Sequence, residues 1–238
     1  MGRIIKYDKS VIVACDVDDI DFFRKLVEQT YDLEGIGGYK IGAILTIRYG
    51  LPKLVEIVHE FTDLPIIYDH QKAMTDIPDL GKNFIKAVKE AGADAIIGFP
   101  QSGPLTEEAW IKACKDRGLE VIIGGEMTHR KYKRSEGGYI SDEALDEIYL
   151  FAAKLGVNNF VVPGNKVEKV AHYKSILKPM VKDDLTFFSP GFILQGGSIS
   201  EIAKIVEHLH FIIGRAIYEA KDIRQASKEI IKQVLLWK

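Results

Sequence analysis

Cysteine is scarce: Cys15 and Cys114 are the only two in 238 residues. Both sit among apolar neighbours, and their spacing makes no metal-ligand pattern, so a disulfide scaffold is excluded and a reducing cytoplasm is the simpler setting. No apolar run approaches the roughly 20 residues that span a bilayer, and no membrane association is expected. Residues 1–7 carry too little apolar sequence for a secretory signal. Charge of one sign is not in excess either. Lys plus Arg number 32 and Asp plus Glu 34, for a formal net charge of -2. That balance argues against a dedicated nucleic-acid binder while leaving room for a local basic pocket. Pro/Ser-rich linkers, low-complexity tracts and shifts in composition are missing as well, and residues 1–238 are expected to form one domain.

What is present is apolar material, 47% of the chain against 28% charged, enough for a sizeable core and too much for a disordered chain. It is arranged as short β-branched runs alternating with longer amphipathic stretches. Strands are expected at residues 11–15, 39–41, 65–68, 95–98, 121–124, 160–162, 186–188 and 211–213. Each run is apolar throughout, as parallel strands buried on both faces are. Phe84, Ile85, Ala87 and Val88 recur at helical spacing, as do Ala144, Leu145, Ile148, Tyr149 and Ala152. Gly92 and Gly156 read as left-handed helix ends leading into strands, and the Leu105-Thr106-Glu107-Glu108 run reads as an N-cap with acids in the first turn. Eight strand–helix units of about 25 to 30 residues indicate a closed (β/α)8 TIM barrel of the α/β class, with an open doubly wound sheet as the alternative.

In a barrel, chemistry belongs at the carboxyl-terminal strand ends. Asp16 follows the first strand, Lys40 lies in the second, and Asp69, Lys72 and Asp76 follow the third. Charges of both signs crowded at one mouth are tolerable only as an interleaved acid–base network. A salt-bridged rim that merely holds loops together is the plainer reading of the same residues. Thr128 follows the fifth strand. Gln195, Gly196 and Gly197 follow the seventh, and Gly214 and Arg215 the eighth. Glycine-rich backbone, a helix start and an arginine at these last two strand ends together suit a phosphate. His70, His129 and His172 share no evident geometry, and no metal site is expected.

In order and position these pieces resemble the orotidine 5'-phosphate decarboxylase family, from Asp16 to Tyr218. The resemblance rests on Ala14-Cys15-Asp16-Val17, Lys40, Asp76-Ile77-Pro78, Glu126-Met127-Thr128-His129, Val162-Pro163-Gly164, Pro190-Gly191 through Gln195-Gly196-Gly197, and Gly214-Arg215-Ala216-Ile217-Tyr218. It implies a cytoplasmic homodimeric barrel that converts orotidine 5'-phosphate to UMP in pyrimidine biosynthesis, without metal or organic cofactor. Asp16 and Lys40 would then hold ribose hydroxyls and the charge network. Asp69 would sit beside the substrate carboxylate, Lys72 would protonate pyrimidine C6, and Asp76 would reach into the site of the other subunit. Thr128 would touch the base where the family has a serine, and Gln195, Gly196, Gly214 and Arg215 would hold the phosphate.

The family pattern Asp-x-Lys-x-x-Asp is here Asp69-x-x-Lys72-x-x-x-Asp76, two residues longer. On a strand, residues two apart share a face and residues three apart do not. A bulge at His70-Gln71 is therefore expected, aiming Lys72 rather than Gln71 into the mouth. Leu80 also replaces a threonine of the family pattern. These departures leave two alternatives: a Mg²⁺-dependent sugar-phosphate decarboxylase or aldolase of the hexulose- or ketogulonate-phosphate type, and a non-catalytic phospho-ligand-binding homologue.

Overall fold

A computed structural model describes residues 3–70, 73–192 and 199–237 of the chain. The strands are β1 Lys9–Cys15, β2 Ile36–Gly42, β3 Ile66–Asp69, β4 Ala95–Gly98, β5 Glu120–Gly124, β6 Asn159–Val161, β7 Thr186–Ser189 and β8 His208–Ile213. They close in sequence order, each parallel to the next, with β8 returning to β1. The chain is therefore a closed (β/α)8 barrel and not an open sheet. Its α-helices are α1 Ile20–Glu28, α2 Ala43–Tyr49, α3 Leu51–His59, α4 Gly81–Glu90, α5 Pro104–Asp116, α6 Asp142–Lys154, α7 Val167–Val181, α8 Ile199–Ala203, α9 Arg215–Tyr218 and α10 Ile223–Leu235.

Strand alternation divides the apolar residues into two cores. Ile12, Ala14, Ile67, Ile97, Ile122, Val161, Phe188 and Ile212 fill the barrel, and Ile5 packs with them. Val11, Val13, Tyr39, Ile41, Ile66, Leu209 and Phe211 point outward and pack in the core beneath the helices. Because both faces are buried, the strands read as continuous apolar runs rather than alternating ones.

All eight expected strands are present, several with extended ends. β2 begins three residues before the expected start, and its Gly37-Gly38 pair explains the difference. A Cβ at Gly37 would lie 2.1 Å from Ser10 Oγ, and one at Gly38 would lie 2.6 Å from the Pro65 carbonyl oxygen. Glycine permits that close approach of strands while carrying no strand propensity of its own. Gly92 and Gly156 adopt φ +92° and +77°, the left-handed helix ends that the sequence suggests. The start of α5 differs. Gly103, at φ +105°, is its N-cap and Pro104 its first residue, with no side-chain cap. The Thr106 hydroxyl donates instead to the Asp76 carbonyl, 2.9 Å away, and so ties α5 to the loop after β3.

Candidate active site

The strand periodicity that separates the two cores also aims charge at the mouth. In β2, Tyr39 and Ile41 face the helices, so Lys40 between them faces the barrel interior. In β3, Ile67 faces inward, and Asp69, two residues on, does the same. Pairing of Gly42 with Asp69, and of Ala14 with Lys40, brings the three strand ends level. Lys40 Nζ donates to Asp16 Oδ1 at 2.8 Å and to Asp69 Oδ2 at 2.7 Å. Burial alone would lower the Lys40 pKa, but Asp69 and then Asp16 outweigh it, and the ammonium is held charged well above its ordinary range. Asp69 is buried too, and its Oδ1 has no hydrogen-bond partner among the described residues. Gly42 leaves room for Asp16, whose Oδ1 would lie 2.9 Å from a Cβ there.

Asp16, Lys40 and Asp69 line a cavity of about 240 Å³ at the carboxyl-terminal mouth, together with Thr128, Gly191, Gly214 and Arg215. Arg215 is exposed and forms no ion pair among the described residues, so its guanidinium is available to an anion. Gly214 lies against Ala14 and Tyr218, with 3.1 Å from a Cβ to the tyrosine ring. Gly164 lets the end of β6 meet the end of β7. A Cβ there would come within 2.4 Å of the Phe192 ring and 2.7 Å of the Pro190 carbonyl oxygen.

The structure thus brings together Asp16, Lys40, Asp69, Thr128, Gly214 and Arg215. It does not bring Asp76 with them: that side chain is exposed, caps the Ile77 amide at 2.7 Å, and stays out of the cavity of its own chain. Lys72, Gln195 and Gly196 lie outside the described residues, as do Gln71 and the core of the bulge expected there. On the near side of that pair β3 ends at Asp69, and the Ala73 amide donates to the His70 carbonyl at 2.6 Å. On the far side Ala73 and Met74 are fully buried, and the Phe99 amide donates to the Ala73 carbonyl at 3.0 Å. His70 contacts Tyr68, and His172 pairs with Asp146 at 2.9 Å. Among the described residues no three histidine, cysteine or acidic side chains gather as metal ligands would.

One arrangement escapes the sequence reading. Glu126, the second residue after β5, is buried at the mouth. Its Oε1 receives Lys166 Nζ at 2.8 Å, with Lys133 at 3.4 Å, and its Oε2 receives the Tyr173 hydroxyl at 2.6 Å. Burial pushes the Glu126 pKa up, but the bonds from Lys166 and Tyr173 more than reverse this and hold it below the ordinary range. Lys166 also reaches the Met127 carbonyl, and Asn165 donates to the Thr128 carbonyl, both at 3.2 Å. Glu126 therefore anchors the clamp that sets Met127 and Thr128 on the cavity wall. Its place two residues after β5, in the Glu126-Met127-Thr128-His129 run that carries the resemblance, marks the residue in the sequence but not its partners.

A closed parallel barrel with an acid–lysine–acid array and an exposed arginine lining one cavity defines a ligand-binding barrel of the enzymatic type, its polar partners suited to an anionic, hydroxylated small molecule. Residues 9–230 match the model of the Orotidine 5'-phosphate decarboxylase / HUMPS family, and the chain belongs to that family. It is 30% identical over 224 residues to an orotidine 5'-phosphate decarboxylase of Methanosarcina barkeri, covering 94% of each chain. It is likewise 30% identical to that of Pyrococcus furiosus, covering 95% of this chain and 98% of the relative. Among solved structures, the orotidine 5'-monophosphate decarboxylase of Methanocaldococcus jannaschii complexed with the inhibitor BMP superposes with a TM-score of 0.82 at 26% identity, covering 95% and 98% of the two chains.

Proposed function

We propose that this protein is a carboxy-lyase that decarboxylates orotidine 5'-phosphate to UMP without metal or organic cofactor. The observation that carries the reading is the Asp16–Lys40–Asp69 array, in a cavity that Arg215 also lines. In this reading Arg215, Gly214, Gln195 and Gly196 bind the phosphate, Asp16 and Lys40 the ribose hydroxyls, and Thr128 the base. Asp69 lies beside the substrate carboxylate. The C6–carboxylate bond breaks, its electron pair stays on C6, and carbon dioxide leaves. The Lys72 ammonium stabilises that developing carbanion and then gives it a proton. That Asp69 Oδ1 has no partner among the described residues supports this role, because a buried carboxylate oxygen left unmet by them calls for a further cation beside it. Binding energy from the phosphate and ribose, remote from the reacting bond, is available to lower the barrier.

We also propose one barrel unit over residues 1–238, paired into a homodimer in which Asp76 serves the partner's site, and a cytoplasmic setting. Exposed Asp76 is flanked by Ile77, 58% exposed, with Leu80 close by at 44%. Ile44 and Ile47 of α2, 57% and 82% exposed, leave the neighbouring strand end on the same face of the barrel. A second copy would cover this apolar group. Cys15 and Cys114 are buried free thiols, as a reducing compartment allows. No helix among the described residues is long and apolar enough to cross a membrane.

The test is carbon dioxide release from orotidine 5'-phosphate with and without EDTA. Release that EDTA leaves unchanged is expected. No release from orotidine 5'-phosphate, with EDTA-sensitive turnover of a hexulose or ketogulonate phosphate, points to a Mg²⁺-dependent sugar-phosphate enzyme, and nucleotide binding without any release points to a non-catalytic homologue.

A further inference from the structure

Outside the barrel mouth, Glu107 on the first turn of α5 is only 2% exposed, yet its Oε1 has no hydrogen-bond partner and no ion pair reaches it among the described residues. Leaving a buried carboxyl unmet is costly, and burial alone pushes its pKa up to about 8, so it is protonated at neutral pH. Glu107 forms part of the wall of a cleft of about 480 Å³ between α5 and α6. That cleft is separate from the Asp16–Lys40–Asp69 cavity and shares no lining residue with it. Its apolar walls come from Ile140, Ile148 and Phe151, each half-buried. The other titratable groups that line it are Tyr139 from the loop before α6, and Glu147 and Lys154 from α6, all exposed at the rim.

A ligand for this cleft must bring an apolar body and, at its inner end, a donor for an oxygen that lacks one. A cation meets both the unpaired oxygen and the suppressed charge, whereas a neutral donor meets only the first. We propose that the α5–α6 cleft is a second small-molecule site that takes a compact amphipathic amine, its ammonium on the Glu107 carboxylate and its body against Ile148 and Phe151. On binding, the ligand keeps its ammonium protons and Glu107 releases its own to solvent. The site is independent of the reaction at the barrel mouth.

Titration of the full-length protein with 2-phenylethylamine, followed by amide NMR and calorimetry, tests this, with 2-phenylethanol and 3-phenylpropionate as comparators. The amine is expected to shift resonances of α5 and α6 and to bind at least about tenfold tighter than either comparator. At neutral pH its binding releases a proton, and its affinity rises as the pH approaches about 8, then levels off. Glu107→Gln should weaken the amine by about tenfold or more and leave the alcohol unchanged. Ile148→Trp, which fills the cleft without touching Glu107, should abolish amine binding and leave carbon dioxide release intact. Equal affinity for amine and alcohol, preference for the carboxylate, indifference to Glu107→Gln, or no saturable amine binding would each overturn the proposal.

Discussion

Lys40 carries the strongest single-residue consequence in the molecule. It is 5% exposed and bound to two carboxylates, one of them buried. Lys40→Met removes the only cation among the described residues that meets Asp69, and breaking a buried pair from one side costs about 3–5 kcal/mol. Urea unfolding should show a loss of that order together with loss of turnover; a loss under about 1 kcal/mol would mean that Asp69 finds another partner. Arg215 should behave differently, because it is exposed and packs little. Arg215→Ala should leave stability unchanged and weaken UMP by roughly 30-fold while hardly affecting uridine, a difference worth about 2 kcal/mol of charge-assisted bonding. Equal losses for nucleotide and nucleoside would refute an anion site there. Glu107 supplies a pH dependence. From about pH 4.5 to about pH 8 the folded chain keeps a proton that the unfolded chain releases, so stability falls as pH rises through that interval. Glu107→Gln should remove this slope and stabilise the protein by on the order of a few kcal/mol above pH 8, read from denaturation midpoints across pH.

At the scale of elements, the contact between strand ends is set by glycine. Gly164→Ala would drive a methyl into the Phe192 ring and the Pro190 carbonyl. The carbonyl is backbone and cannot rotate away, so the loop after β7 must shift. A loss of about 1–3 kcal/mol is expected, with weaker nucleotide binding, because Pro190, Gly191 and Phe192 line the cavity. Unchanged stability and affinity would show that the loop absorbs the methyl elsewhere. Much of this level was legible in the sequence. Short apolar runs located all eight strands, and Lys40 and Asp69 stood out because a charge within or at the end of such a run is rare. Two things were not legible. Which apolar residues face the barrel and which the helices cannot be read from β1, where Val11, Ile12, Val13 and Ala14 are apolar on both faces; only closure decides it. The Glu126–Lys166 contact joins residues 40 apart, and neither has a local pattern that names the other. The N-cap at Thr106 failed for a related reason. Its hydroxyl found the Asp76 carbonyl, a partner that local sequence does not show.

For the whole molecule, the proposed mechanism turns on a second barrel. Asp76 does not line the cavity of its own chain, and Thr106 and Trp110 both hold its loop, through the Asp76 and Ile77 carbonyls at 2.9 and 3.2 Å. A loop fixed in that outward position is placed to serve a neighbour, as the proposed dimer requires. The surrounding isoleucines and Leu80 then have a reason to be exposed, since their burial would supply the association energy. Ile44→Asp with Ile47→Asp places two charges in that face, and by sedimentation should convert a dimer to a monomer with unchanged circular dichroism. Turnover should fall with dissociation, although neither residue lines the cavity. The sharper measurement mixes two inactive proteins, Lys72→Ala and Asp76→Ala. A hybrid dimer has one site that combines an intact Lys72 with an intact Asp76 from the other subunit, so partial activity should return as subunits exchange. If exchange is demonstrated and activity stays absent, each barrel works alone, and the outward loop must owe its rigidity to Thr106 and Trp110 for reasons of stability only.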